Sequence, residues 1–306
     1  MLKYILRRLA ATVIVVLCVS FISFIMIRLA PGNPALMLLP DDATDEEVAA
    51  MEAYLGLDKP LVVQYGIYLG NLLRGDFGTS LQYKQPCLQV IMNRFPRTAQ
   101  LALAGVAMSL VIAIPLGVIA GVKQGSGIDL FCMFFAMVGQ SLSAIVLGLL
   151  LVVVFAVNLE WLPANGTGTI QHLILPALTI ALPNAATTTR MARSGMVDVL
   201  KEDYILATYA RGISRPVVYM KYALKNALIP VITLVGMSVA SYMGGAVITE
   251  NIFNWPGIGT LTKTAITFRD YPLVQTLLLI IAVTIAVMNL LVDIINSIVD
   301  PRISLK

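Results

Sequence analysis

Charge is scarce in this chain of 306 residues: 12% are Asp, Glu, Lys or Arg, against 58% that are apolar. Soluble domains carry about 25% charged residues, so this composition cannot cover a globule with a water-facing surface. Histidine occurs once, at His172, which excludes a histidine-built metal site and an H-E-x-x-H protease. Cys18, Cys87 and Cys132 are the only cysteines, and no two have C-x-x-C spacing. They read as unpaired thiols, with no zinc or redox motif among them. A G-x-x-x-x-G-K-[ST] phosphate loop is missing, so the chain has no such route to ATP hydrolysis. There is no Ser/His/Asp set, metal cluster or intramembrane aspartate pair to support a membrane enzyme. No intramembrane charge pair offers a proton or sodium relay, which weighs against a secondary carrier; a self-sufficient channel or carrier stands as the alternative class. The net charge of +4 is small, and no nucleic-acid-binding module is indicated.

What is abundant is apolar sequence in long uncharged runs. A bilayer core needs about 20 apolar residues as helix. Six windows meet or approach that length: 9–27, 98–122, 130–159, 170–189, 226–249 and 271–292. The fourth is the most polar, with Pro, Thr and Asn inside it. The first follows Lys3, Arg7 and Arg8, and its run exceeds the 7–15 residues of a cleavable signal, so it reads as an uncleaved anchor. With the N-terminus in the cytoplasm, thirteen of the 21 basic residues and six of the 17 acidic ones fall on the inner side. That asymmetry satisfies the positive-inside rule and puts both termini in the cytoplasm. The expected fold is therefore all-α: an integral membrane bundle of six transmembrane helices.

Residues 30–97 form the one sizeable segment outside the spans, and they face outward. Thr44-x-x-Glu47 is a capping box opening a helix that Gly56 stops. A second helix starts near Asp58-Lys59-Pro60, carries Leu61, Tyr65, Tyr68 and Leu72 on one stripe, and ends at Gly75. The pair is expected to cap the outer face, as a passive lid or as a docking surface for an external partner. On the inner side, residues 190–225 carry seven basic residues and three acidic ones. Val197, Leu200, Tyr204, Ala207 and Ala210 recur at helical spacing before Gly212 breaks the pattern and Arg215-Pro216 opens another helix. Partner docking explains this geometry, and an ordinary basic inner loop explains the charges alone.

Within the spans, Gly236, Ala240 and Gly244 are four residues apart and mark a close helix contact, inside the chain or with a second subunit. Gln140, Ser141, Ser143, Asn184 and Ser241 are polar groups in apolar surroundings. They line a wet path or bond helix to helix. The outer loop carries Phe253, Trp255 and Phe268, which should pack at the membrane interface or onto protein. Pro256-Gly257 and Gly259 would turn it back over the mouth of a path, with Trp255 as an outer gate.

The stretch Glu202-Asp203-Tyr204-Ile205-Leu206-Ala207-Thr208-Tyr209-Ala210-Arg211-Gly212 resembles the EAA loop of ABC importer permeases. Lys221-Tyr222-Ala223-Leu224-Lys225-Asn226 is similar to its continuation in the dipeptide, oligopeptide and nickel branch. Three further segments resemble that branch: Asn251 to Gly259, Arg269-Asp270-Tyr271-Pro272 and Gly75-Asp76-Phe77-Gly78. So do Arg28-Leu29-Ala30-Pro31-Gly32-Asn33-Pro34, the turn Leu55-Gly56-Leu57-Asp58 and the ending Asp300-Pro301-Arg302. The resemblance covers the whole chain.

The resemblance implies the first of two related permease subunits of a type I importer, in the inner membrane of a prokaryote. The partners it implies are a second permease, two cytoplasmic ATPases and an extracytoplasmic solute-binding protein. ATP and Mg would sit on the ATPases, leaving this chain with no cofactor and no catalysis of its own. Glu202, Asp203, Tyr204, Ala207, Ala210, Arg211, Gly212 and Arg215 would form the coupling helix. Di- or oligopeptides are the expected solute, with nickel chelates, glutathione or opines as alternatives. The organisation expected is a first span over 1–29, the outer segment 30–97, a permease core over 98–300 with its coupling loop near 197–225, and a tail over 301–306.

Overall fold

The computed structural model describes residues 2–29, 39, 43–54 and 59–299. The motif at 30–34, the turn at 55–58 with Gly56, and the tail from 300 lie outside the described residues, as do the side chains of Lys3, Arg7, Arg8 and Arg28. Among the described residues there are helices and one isolated bridge, Thr79 with Pro86, but no strand. The helices are α1 (Leu2–Leu29), α2 (Asp45–Tyr54), α3 (Leu61–Leu73), α4 (Cys87–Val122), α5 (Gly127–Ser141), α6 (Ala144–Asn158), α7 (Ile170–Val199), α8 (Asp203–Ala210), α9 (Arg215–Ala227), α10 (Ile229–Met243), α11 (Val247–Ile252), α12 (Ile258–Thr267) and α13 (Tyr271–Val299).

Among them α1, α4 and α13 are each long and apolar enough to cross a membrane, and two bent pairs raise the count to five. The sixth expected span is α7. Its 30 residues make about 45 Å of helix, ample for a bilayer. Its polarity is tolerable because it faces protein: Thr179, Asn184, Thr188 and Thr189 are all buried. It runs alongside α4 in the same direction, with glycines at the contact. A Cβ on Gly117 would lie 2.6 Å from the Ala192 Cβ, and one on Gly121 2.5 Å from that of Met196.

Two spans differ from the expectation. The single helix foreseen over 130–159 is two helices, α5 and α6, bent by 101°. Leu142 turns extended and ends α5, and Ser143 caps α6 by accepting the Ile145 N–H at 3.2 Å. The span foreseen over 226–249 holds α10, which α9, almost wholly before that window, joins at a 51° bend; α10 opens with Pro230 in its first turn and stops before Gly244. A search for uncharged runs is blind to both breaks because no charged residue falls at either. The span foreseen from Thr98 also starts earlier: α4 begins at Cys87, so Arg94 and Arg97 lie in the helix.

The stripe Gly236, Ala240, Gly244 is an internal contact. A Cβ on Gly236 would meet Val292 at 2.4 Å, and one on Gly244 would meet Ile285 at 3.0 Å, both on α13. Core clusters mark two opposite ends of the bundle. One gathers Cys87, Ile91, Ile258, Leu261, Leu273 and Leu277; the other gathers Met196, Ile205, Val218, Ala223 and Ala227.

In the segment between the first two spans the capping box is formed. The Thr44 N–H donates to Glu47 Oε2 at 2.9 Å, and the Glu47 N–H donates to Thr44 Oγ1 at 3.3 Å. Gly75, at φ +80°, ends α3: its N–H reaches the Leu72 carbonyl and the Asp76 N–H reaches that of Asn71, a Schellman pair. Helix α3 lies against α1. The Tyr65 ring stands edge-on to Phe21 and Phe24, each at 5.3 Å.

Candidate functional site

Between α7 and α10 a groove of ≈ 410 Å³ opens, its wall formed by Met191, Thr233, Met237, Ser238, Ser241 and Tyr242. Its exposed surface is largely apolar: two flexible methionines, Pro230 and Leu234, with four hydroxyls among them and no charged side chain. Ser241 and Ser238 are three residues apart on one helix and so share a face. Ser238 Oγ donates to Asn184 Oδ1 at 2.9 Å, and Asn184 Nδ2 donates to Ser109 Oγ at 3.1 Å. Asn184 is thus a buried strut joining α4, α7 and α10 behind the groove, while Ser241 lines it. Gln140 and Ser141 are not brought to this groove. Both are exposed at the end of α5, where Ser141 Oγ donates to the Met137 carbonyl.

At the end carrying α11 and α12, the loop over 250–260 folds around a carboxylate. Glu250 is fully buried. Thr98 Oγ1 donates to its Oε1 at 2.9 Å, and the Thr260 N–H donates to Oε2 at 3.0 Å. Thr98 Oγ1 also accepts the Ile258 N–H at 2.7 Å, so it clips the loop to α4. Gly257 and Gly259 are required by the packing, because a Cβ on Gly257 would fall 2.5 Å from the Glu250 carboxyl and one on Gly259 2.6 Å from Val247 Cα. Burial pushes the Glu250 carboxyl above the usual carboxylate range, against hydrogen bonds from Thr260, Thr98 and Gly259 that act the other way.

Asn254, at φ +48°, closes α11 in the left-handed conformation that Asn tolerates. Trp255 follows, buried, with Nε1 donating to the Arg97 carbonyl at 2.9 Å. It packs with Leu101, Ala177 and Ile180, and Tyr242 from the groove wall leans on the same cluster. Phe253 is buried as well, whereas Phe268 is exposed. A second buried acid, Asp270, accepts from Ser80 Oγ at 2.5 Å and from the Gln82 N–H at 3.1 Å, and it caps α13 through the Leu273 N–H at 3.3 Å. The segments Gly75–Gly78 and Arg269–Pro272 are therefore neighbours: Thr276 Oγ1 also donates to the Phe77 carbonyl at 2.9 Å.

The opposite end carries α8. Glu202 supplies its N-cap position and Asp203 its first turn, so both acids complement the helix dipole. The periodic stretch 197–210 is divided between two helices. Because α7 stops at Val199 and α8 restarts at Asp203, the register shifts. Ile205 and Thr208 are buried, while Tyr204, Leu206, Ala207 and Ala210 face outward. Gly212 has φ +75°. Its N–H bonds the Tyr209 carbonyl at 2.9 Å and the Ile213 N–H bonds that of Thr208 at 3.3 Å, the Schellman arrangement that only a left-handed residue completes. Asn226 Nδ2 donates to Tyr204 Oη at 2.7 Å, tying α8 to α9. A Cβ on Gly195 would lie 2.4 Å from the Ala227 carbonyl, so α7 and α9 touch by backbone. Arg211 and Arg215 are exposed beside the outward apolar face.

Arg193 on α7 grips Asp129 on α5 through two bonds, at 2.6 and 2.7 Å. Sequence reasoning placed both in inner loops and missed the pairing. Thr98, Ser109, Thr233, Ser238, Glu250 and Asp270 were also missed. For Ser238 a signal existed in its three-residue spacing to Ser241; for Glu250 it lay in the glycine pair seven and nine residues later.

Residues 113–305 match the family described as "Binding-protein-dependent transport system inner membrane component", and residues 1–102 match its N-terminal companion, "Binding-prot-dependent transport system membrane comp, N-term". The dipeptide transport system permease protein DppB of Alkalihalophilus pseudofirmus is 38% identical over 99% of both chains. The oligopeptide transport system permease protein AppB of Bacillus subtilis is 40% identical over 99% of both. The glutathione transport system permease protein GsiC of Salmonella typhimurium is 37% identical over 100% of both. In fold, the chain is similar to an inward-facing structure of the MetNI methionine ABC transporter, with TM-score 0.57 at 16% identity, over 70% of this chain and 97% of that one.

Proposed function

The chain belongs to the binding-protein-dependent transport system inner membrane components, and on that premise we propose that it forms half of the path by which an ATP-driven importer takes up peptides. The reading is carried by likeness over the full chain to dipeptide, oligopeptide and glutathione permeases. The groove supports it. An uncharged wall of Thr233, Ser238, Ser241 and two methionines can accept peptide groups without selecting a side-chain charge. Flexible methionines adapt to varied shapes.

In this reading a second, related permease faces the α7–α10 groove and completes the path. The α8 end is cytoplasmic, with both termini, and the α11–α12 end faces the extracytoplasmic solute-binding protein across a prokaryotic inner membrane. ATP and Mg belong to two cytoplasmic ATPases. The outward face of α8, with Tyr204, Leu206, Ala207 and Ala210, docks on one of them, flanked by Arg211 and Arg215. Movement there reaches the groove because α8 is tied to α9 by Asn226 and α9 to α7 at Gly195. At the other end Trp255 acts behind Tyr242 as an outer gate, holding the wall rather than lining the opening. Gln140 and Ser141 would join the path only in another conformation of the assembly.

Glutathione, itself a tripeptide, is the second reading, favoured by the full-length likeness to GsiC. Reconstitution of the assembly with its binding protein tests both. Uptake of labelled peptide into vesicles should require ATP and binding protein, and competition by glutathione ranks the two solutes. Uptake that proceeds without ATP would contradict the reading.

A further inference from the structure

We infer that α3 is a membrane-embedded half-helix, seated beside α1 inside the hydrocarbon layer, with lipid acyl chains covering the face that carries Val62 and Leu73. The inference concerns depth and needs neither a choice of inside and outside nor any solute.

Depth follows from Tyr65. Its hydroxyl lies 2.9 Å from Ser20 Oγ and 3.4 Å from the Leu17 carbonyl. Leu17 stands midway along the apolar window Leu9–Met26 of α1. At 1.5 Å per residue, the Leu17 carbonyl is about 13 Å below Met26. A tyrosine cannot reach that level from a helix lying on the membrane surface. The rings agree: Tyr65 meets Phe21 and Phe24, and Tyr68 stacks on Phe24 at 6.0 Å, all within the same window.

Composition fits the placement: no residue from Leu61 to Leu73 is charged. The buried Gln64 turns its amide back to the Lys59 carbonyl at 2.8 Å, so it asks nothing of the lipid. Thirteen residues give about 20 Å of helix, too short to cross a hydrocarbon core of about 30 Å.

The occupant of the free face follows from what it adjoins. Val62 and Leu73 are 84% and 89% exposed, and eleven residues, about three turns, put them on one side of the helix. Ile67 and Val63 are exposed as well, and so are Leu17, Phe21 and Met26 in the apolar window of α1, the helix that α3 lies against. Water is the wrong solvent for so much exposed apolar surface.

The experiment places single cysteines at Val62 and Leu73 in the full chain lacking Cys18, Cys87 and Cys132, assembled with its partner subunits. Ile22→Cys on α1 is the lipid control and Glu46→Cys on α2 the aqueous one. Each site receives a polarity-sensitive bimane label before reconstitution into phosphatidylcholine–phosphatidylglycerol vesicles, with or without brominated phosphatidylcholine. Val62→Cys and Leu73→Cys should match Ile22→Cys: blue-shifted emission, quenching by the brominated lipid, and loss of reaction with an impermeant maleimide in unlabelled samples. Two results would overturn the proposal. Labelling at the rate of Glu46→Cys would put α3 in water, and protection from both maleimide and bromine would mean that another protein surface covers it.

Discussion

Replacing Glu250 by alanine should loosen the loop that closes one end of the bundle. The carboxylate accepts from the Thr98 hydroxyl and the Thr260 N–H, and both donors are held in place by other bonds. Without the acceptor, each buried donor costs about 1–3 kcal/mol, so the pair costs about 4 kcal/mol. That is a large part of the roughly 5–15 kcal/mol that stabilises a folded chain. Glu250→Gln keeps the volume and one acceptor oxygen, and should cost about half as much. The assay is thermal unfolding in detergent, read with a thiol-reactive dye. Cys87 and Cys132 are buried and report opening, and exposed Cys18 is replaced by serine. The melting temperature should fall in the order wild type, Gln, Ala. If the alanine variant melts with the wild type, the carboxylate does not hold the loop, and the role given to Gly257 and Gly259 falls with it.

The same group gives a pH dependence. Burial raises the folded carboxyl pKa above its unfolded value near 4.3. Its contribution to stability is complete below that unfolded value and is lost as pH rises through the folded one. The melting-temperature gap between wild type and Glu250→Gln should therefore narrow from about pH 4 upward, and a gap that widens with pH would refute the sign. At the other end, Gly212→Val forces a β-branched residue into φ +75°, at a local cost of about 1–3 kcal/mol. Membrane insertion should survive and solute-stimulated ATP hydrolysis should be lost; normal stimulation would show that the Schellman turn is dispensable.

Features that depend on neighbours in sequence could be read from the sequence. The Thr44–Glu47 capping box, the stops at Gly75 and Gly212, and five of the six spans as uncharged runs all rest on local rules of charge, capping and φ. Features decided by direction or by distant partners could not. Gln140, Ser141 and Ser143 mark a local break in the apolar run, but nothing in their neighbourhood sets the 101° angle between the two helices. The spacing of Val197, Leu200, Tyr204, Ala207 and Ala210 reads as one helix, but Leu200 to Glu202 break it, and only packing shows that Ile205 and Thr208 turn inward while Tyr204 turns outward. The burial of Glu250 and Asp270 could not be read from their neighbours in sequence; their partners, Thr98 and Ser80, lie 152 and 190 residues away. The polarity of α7 is clear in sequence, but that it marks the central, protein-covered helix is a fact of packing.

The central claim is that α8 presents its outward face to an ATPase. Site-directed cross-linking tests it most directly, in the complete assembly with a cysteine placed in turn at Leu206, Ala207 and Thr208. Leu206→Cys and Ala207→Cys should form covalent adducts with an ATPase subunit, since Leu206 is 58% exposed and Ala207 lies on the same open face. Thr208→Cys, 6% exposed and turned into the bundle, should form none. Adducts from Thr208→Cys alone, or from none of the three positions, would contradict the account.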